Sequence, residues 1–264
     1  MRVSTSVLLA TAALALGGCA GSKGQERQIP VPLSDQHERI IGSRLAKRFE
    51  TGVDPELDPR ISDYLNQICG RIGRLSDRPD IPYTVSVYRA PEPRAMAFPG
   101  GFIYVSTGLL KMLDTESEVA GVIGHEVTHV VLRHPSGVLE RGLNDADLAA
   151  IVNGPKGADT TGAGTAAMRL LSMGYGRGVE TTTDVTAMLY VSRAGINPEG
   201  MVQAMEKLNP SNSSVETFWE ISSNVHPHMI DRIASNRSEL KSMGLDAGLS
   251  KDQPPYAPIK KLLK

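Results

Sequence analysis

At 264 residues the chain has room for one domain with appendages, and 28 basic against 29 acidic residues leave a formal net charge of −1. That balance excludes a nucleic-acid surface built on net positive charge. With only two cysteines, Cys19 and Cys69, it also excludes a disulfide framework.

Residues 1–18 form an export signal, with Arg2 followed by a short apolar run from Val7 to Leu16 that is too short to span a bilayer as a mature helix. The run ends in Leu16-Gly17-Gly18-Cys19, which looks like a bacterial lipobox, so Cys19 is the expected lipidation site. Residue 20 is Ala rather than Asp, which in the lipoprotein class resembles sorting to the outer membrane. Residues 19–32 are polar and then proline-punctuated, the composition of a flexible tether. No later segment offers eighteen uninterrupted apolar residues, so membrane attachment is expected through lipid alone. Cys69 reads as a buried small hydrophobe.

The domain proper is expected over 33–245. Leu33 to Glu50 has Ile40, Ile41, Leu45 and Phe49 near helical spacing, with Ser34 as N-cap. Ile61, Leu65, Ile68 and Ile72 place a second helix over Pro59 to Leu75. The period then changes to two, predicting strands at Tyr83 to Tyr88 and, after the Pro99-Gly100-Gly101 turn, at Phe102 to Val105. A short helix, Thr107 to Leu113, leads into Glu116 to His134, where the apolar positions mark a largely buried helix. Thr115 and Glu118 are placed to form a capping box at its start, and Pro135 is expected to stop it.

Inside that helix lies His125-Glu126-Val127-Thr128-His129. Two imidazoles at i and i+4 share one helical face and fill two positions of a tetrahedral zinc ion without bending the backbone. Glu126 stands to one side, where it can take a proton from a water acidified by the metal. Histidine and glutamate are costly in an apolar helix without such a partner.

Beyond Pro135 the pattern is less legible. It holds a helix around Ala146 to Val152, a glycine-rich loop from Asn153 to Gly164 that is either a mobile cover or a surface insertion, and a helical patch Ala166 to Met173. Val179 to Ala194 is expected to be helical despite Thr181-Thr182-Thr183, ending at Gly195, with another helix from Pro198 to Leu208. A polar connection leads to His226-Pro227-His228 and a final helix from Met229 to about Met243. The tail, 246–264, is expected to be weakly ordered.

A catalytic zinc needs a third protein ligand. No H-x-x-G-x-x-H continuation follows His129, and His134, roughly 140° further round the helix, should face elsewhere. Glu180 fits, 51 residues after His129 and with Asp184 four residues on. In that layout the glutamate binds zinc while the aspartate orients a ligand histidine through its second nitrogen.

Arg94 to Leu110 with its Phe98-Pro99-Gly100-Gly101 turn, His125 to His129, Glu180 to Asp184, Ala194 to Pro198 and His226-Pro227 together resemble the HtpX, Oma and CAAX-protease family of gluzincin metallopeptidases. Within it they are nearest to the soluble bacterial lipoprotein members, over about residues 35 to 245. The resemblance implies one zinc ion per chain held by His125, His129 and Glu180, Glu126 as general base and Asp184 behind the ligands. Two departures stand out: Arg94-Ala95-Met96 replaces the usual Asn-Ala-Phe, and Thr182-Thr183 replaces Glu-Ala before the aspartate.

The expected fold is therefore α+β and zincin-like, mostly helical, with a small mixed sheet packed on the metal helix and an edge strand bordering the zinc cleft. Ala95, Met96 and Ala97 are the expected substrate-pairing segment, and extended or unfolded envelope polypeptides the expected substrates. A catalytically silent metal-bound chaperone for outer-membrane proteins is the rival, against which an intact base argues. His226 is the candidate oxyanion donor; the same ring swinging in as a fourth, inhibitory zinc ligand is the other role open to it.

Overall fold

The computed structural model describes residues 32–56, 58–154, 161–209, 229–244, 249 and 255–263. The signal segment, residues 19–31 of the tether with Cys19, residues 155–160 of the glycine-rich loop, and His226-Pro227-His228 lie outside the described residues.

Helix α1, Asp35–Glu50, begins at Ser34, whose hydroxyl accepts from the His37 amide. It leads through strand β1, Asp54–Pro55, to α2, Pro59–Arg74, where Asp58 caps and Pro59 takes the first turn. Strands β2, Thr84–Arg89, β3, Ala95–Phe98, and β4, Phe102–Ser106, complete a four-stranded mixed sheet in the order β1-β2-β4-β3. β2 and β4 run parallel at its centre, and β3 lies antiparallel to β4 as the outer strand. β1 covers only Tyr88 and Arg89 of β2, so Asn66 of α2 takes over further along: its side chain accepts from the Val85 amide and donates to the Val85 carbonyl, both at 2.9 Å.

The period-two pattern of β4 explains the layering. Ile103 and Val105 enter the main core with α2 and the metal helix, whereas Tyr104 joins Tyr88, Phe98 and Phe49 on the opposite face, under α1. The sheet is thus covered on both faces, not on the metal-helix face alone.

Helix α3, Thr107–Met112, feeds α4, Glu116–Val131. Thr115 caps it by accepting from the Glu118 amide, but the Glu118 carboxylate reaches the Asp114 amide at 2.6 Å and Lys207, so the reciprocal half of the capping box forms one residue early. At the other end Pro135 is not the stop. The helix closes at Leu132, Arg133 turns into the left-handed region at φ 59°, and Pro135 opens a helix that the sequence pattern missed, α5, His134–Gly142. Side-chain contacts hold that turn: the Arg133 guanidinium binds the Leu33 carbonyl and the buried Glu38, while Arg78 binds Glu38 and caps the Val130 carbonyl.

Helices α6, Asp145–Asn153, and α7, Gly162–Leu171, pack with α1 on the second core. Helix α8, Arg177–Arg193, crosses α4 and ends at Gly195, φ 73°. Helix α9, Glu199–Lys207, lies against α4 at a glycine pair: a Cβ on Gly121 would come within 2.5 Å of Met201 Cα, and one on Gly200 within 2.1 Å of the Ser117 carbonyl carbon. Helix α10, Met229–Met243, packs on α8 and α9.

Residues 255–263 correct, for their part of the tail, the expectation of weak order. Tyr256 is fully buried beside Tyr64 and donates to the Leu110 carbonyl at 2.8 Å, α11, Ala257–Lys260, follows it, and Lys260 pairs with Asp114. No helix among the described residues is long and apolar enough to cross a membrane.

Candidate metal centre

Helices α4 and α8 bring His125, His129 and Glu180 to one point. Their Nε2 atoms are 2.9 Å apart, and the Glu180 carboxylate stands 3.4 Å from the first and 3.6 Å from the second. A tetrahedral zinc with bonds of about 2.0–2.1 Å sets its ligands about 3.3 Å apart, so the spacing fits. Glu180 and Asp184 are both fully buried in the first two turns of α8. The helix runs unbroken through the threonines between them, each hydroxyl donating to the carbonyl four residues back: Thr181 to Arg177, Thr182 to Gly178, Thr183 to Val179.

Asp184 accepts the Nδ1 proton of His125 at 2.9 Å, which leaves the His125 Nε2 lone pair facing the site. Burial alone would lower the pKa of His125, but Asp184 and Glu180 outweigh it and raise it. Burial likewise opposes the charge on Asp184, yet Arg232 and His125 bring its pKa down to about 2.

Sequence reasoning missed Arg232. From α10 it donates to both Asp184 oxygens, at 2.8 and 2.7 Å, and pairs with Glu180 at 2.7 Å, while Asn236 one turn on donates to Asp184 at 2.9 Å. The signal was available: Arg232 and Asn236 repeat the i, i+4 spacing of Glu180 and Asp184 with complementary chemistry. Glu126, Glu180 and Asp184 are formally three buried negative charges facing the one guanidinium. A cation bound between His125, His129 and Glu180 would add positive charge beside these carboxylates.

His134 is the second correction. Because α4 ends before it, the wheel angle that turned it away does not apply; its Nδ1 lies 3.0 Å from Nδ1 of His129. Tyr175, on the connection before α8, stacks on His129 with centroids 4.4 Å apart, and burial with the nearby Glu126 and Glu180 raises its pKa, keeping the phenol protonated.

A cleft of about 70 Å³ opens beside the ligands, lined by Ala95 of the outer strand β3, Val122, Glu126, Met201, Met205 and Arg232. Met96 turns the other way, into the second core, and Ala97 packs with Ala95 against the first. The charge of Arg94 acts on Tyr88, which belongs to that second core.

The sequence model of peptidase family M48 matches residues 59–240, which hold the whole of this centre. The chain belongs to peptidase family M48. The M48 relatives include the metalloprotease LoiP of Escherichia coli, 26% identical over 222 residues, covering 79% of this chain and 86% of that one. The beta-barrel assembly-enhancing protease of Yersinia pestis is 25% identical over 224 residues, covering 80% and 45%. The mitochondrial metalloendopeptidase OMA1 of Schizosaccharomyces pombe is 27% identical over 174 residues, covering 64% and 50%. The chain spans half or less of the length of these last two.

Proposed function

We propose that the chain is a zinc-dependent endopeptidase of the bacterial cell envelope, acting on extended or unfolded proteins. One observation carries it: three ligand atoms close on a point beside a buried carboxylate, Glu126, at a cleft walled by the outer strand of the sheet. The names of the relatives, all proteases, support the reading.

His125, His129 and Glu180 would hold the zinc, which when bound acidifies water and polarises the scissile carbonyl. Glu126 takes the proton of the attacking water and returns it to the leaving nitrogen. Asp184 and Arg232 keep His125 and Glu180 in place. The outer edge of β3 pairs with the main chain of an extended substrate, and Val122, Met201 and Met205 offer an apolar lining to its side chain. A silent chaperone would have no use for a buried carboxylate beside the ligands.

The zinc-loaded protein should therefore cut an unfolded polypeptide at least about tenfold faster than the same polypeptide stably folded, because only the former can add a strand to an edge. A chelator should stop the cutting and zinc restore it. Equal rates on both forms would remove β3 from the substrate path.

Anchoring through Cys19 follows from the lipobox. Cys19→Ala should move the protein from the membrane pellet to the soluble envelope fraction, since lipid is the one attachment proposed. Retention in the pellet after a salt wash would overturn it.

A further inference from the structure

The two histidine ligands are held from behind by different chemistry. His125 gives its Nδ1 proton to a carboxylate, Asp184, but the group facing Nδ1 of His129 is a second imidazole, His134. Two ring nitrogens 3.0 Å apart share one proton. A proton on the His134 side of that contact would leave the His129 proton on Nε2, directed at His125 Nε2 2.9 Å away and into the metal position.

We propose that His134 is the positioning residue of His129, its bare Nδ1 accepting the His129 Nδ1 proton and so fixing the ligand's tautomer and ring rotation with Nε2 open to metal. This rests on the zinc reading above.

The surroundings agree. Thr183 Oγ1 stands 3.4 Å from the same His134 nitrogen, but its proton goes to the Val179 carbonyl at 2.8 Å, which leaves the His134 lone pair to His129. His134 is the first residue of α5, seated by the left-handed Arg133, whose guanidinium is tied to α1, and followed by the fixed φ of Pro135. Tyr175 covers the His129 ring, nearly parallel at 22°, and leans on His134 at 5.6 Å, so the ligand is held by a stack on its face and a bond at its edge. An imidazole also suits the charge of the site, since a neutral acceptor orients the ligand without adding a fourth negative charge to the three already buried.

The test uses metal-free full-length protein and zinc competition against a chelating dye. His134→Leu removes the acceptor, and His134→Asn places a carbonyl oxygen near the position of Nδ1. The Leu variant should bind zinc about 10–100-fold more weakly and shift the visible bands of the cobalt-substituted protein, while Asn keeps affinity within a few-fold of wild type and a wild-type cobalt spectrum. Thermal midpoints of the metal-free variants report folding separately. Wild-type affinity and spectrum in His134→Leu would overturn the assignment, as would an Asn variant as weak as Leu, which would make the ring mere packing. A wild-type protein that binds no zinc would overturn the metal reading and this inference with it.

Discussion

Glu126→Gln should keep one zinc per chain and the wild-type fold while peptide hydrolysis falls by roughly 10²–10⁴-fold, the span a positioned general base contributes. Glutamine has the same volume and still accepts and donates hydrogen bonds, so the cleft keeps its shape. What it lacks is a site basic enough to take the proton of the attacking water. The ligand variants His125→Ala, His129→Ala and Glu180→Ala should fail differently, losing zinc itself. Metal content by elemental analysis and cleavage of an unfolded protein, measured on the same samples, separate the two classes. A Glu126→Gln protein that cuts like wild type would remove Glu126 from the chemistry and with it the mechanism.

The legible parts of this molecule were those written in local spacing. His125 and His129 share a face because 3.6 residues make a turn, and Glu180 with Asp184 repeats that rule on another helix. Ser34 and Thr115 cap as expected because a cap hydroxyl needs only the amide three residues on. The parts that were missed depend on contacts across the chain. The end of α4 is decided by Arg78 and Arg133 meeting Glu38, 40 and 95 positions away in sequence, before Pro135 can act. A helical wheel extended through that turn put His134 on the wrong side, although it lies against His129. The tail offered three prolines and lysines to local reading, yet Tyr256 finds the Leu110 carbonyl 146 positions back. Arg232 and Asn236 of α10 carry a helical spacing that local reading could have noticed, but which carboxylates they serve is set by a contact 48 and 52 positions back along the chain.

That arginine carries the second large expected effect. Arg232 is 3% exposed and its fork meets Glu180 and Asp184, which are fully buried. Removing one partner of a buried ion pair leaves the other uncompensated, at a cost of about 3–5 kcal/mol. Arg232→Leu should therefore lower the melting temperature of the metal-free protein by about 10 °C, given about 2–4 °C per kcal/mol for a domain of this size. Arg232→Lys should fall between Leu and wild type, because it keeps the charge but not three donors directed at two carboxylates. The loss should also be coupled to Asp184. In Arg232→Leu the added change Asp184→Asn removes a charge that has lost its partner, so the double variant should be more stable than the two single losses summed, by about 1–3 kcal/mol. Calorimetry of the four proteins closes that cycle. Additive losses would mean that Arg232 supports the fold through packing of its stem alone and not through its charge on Asp184.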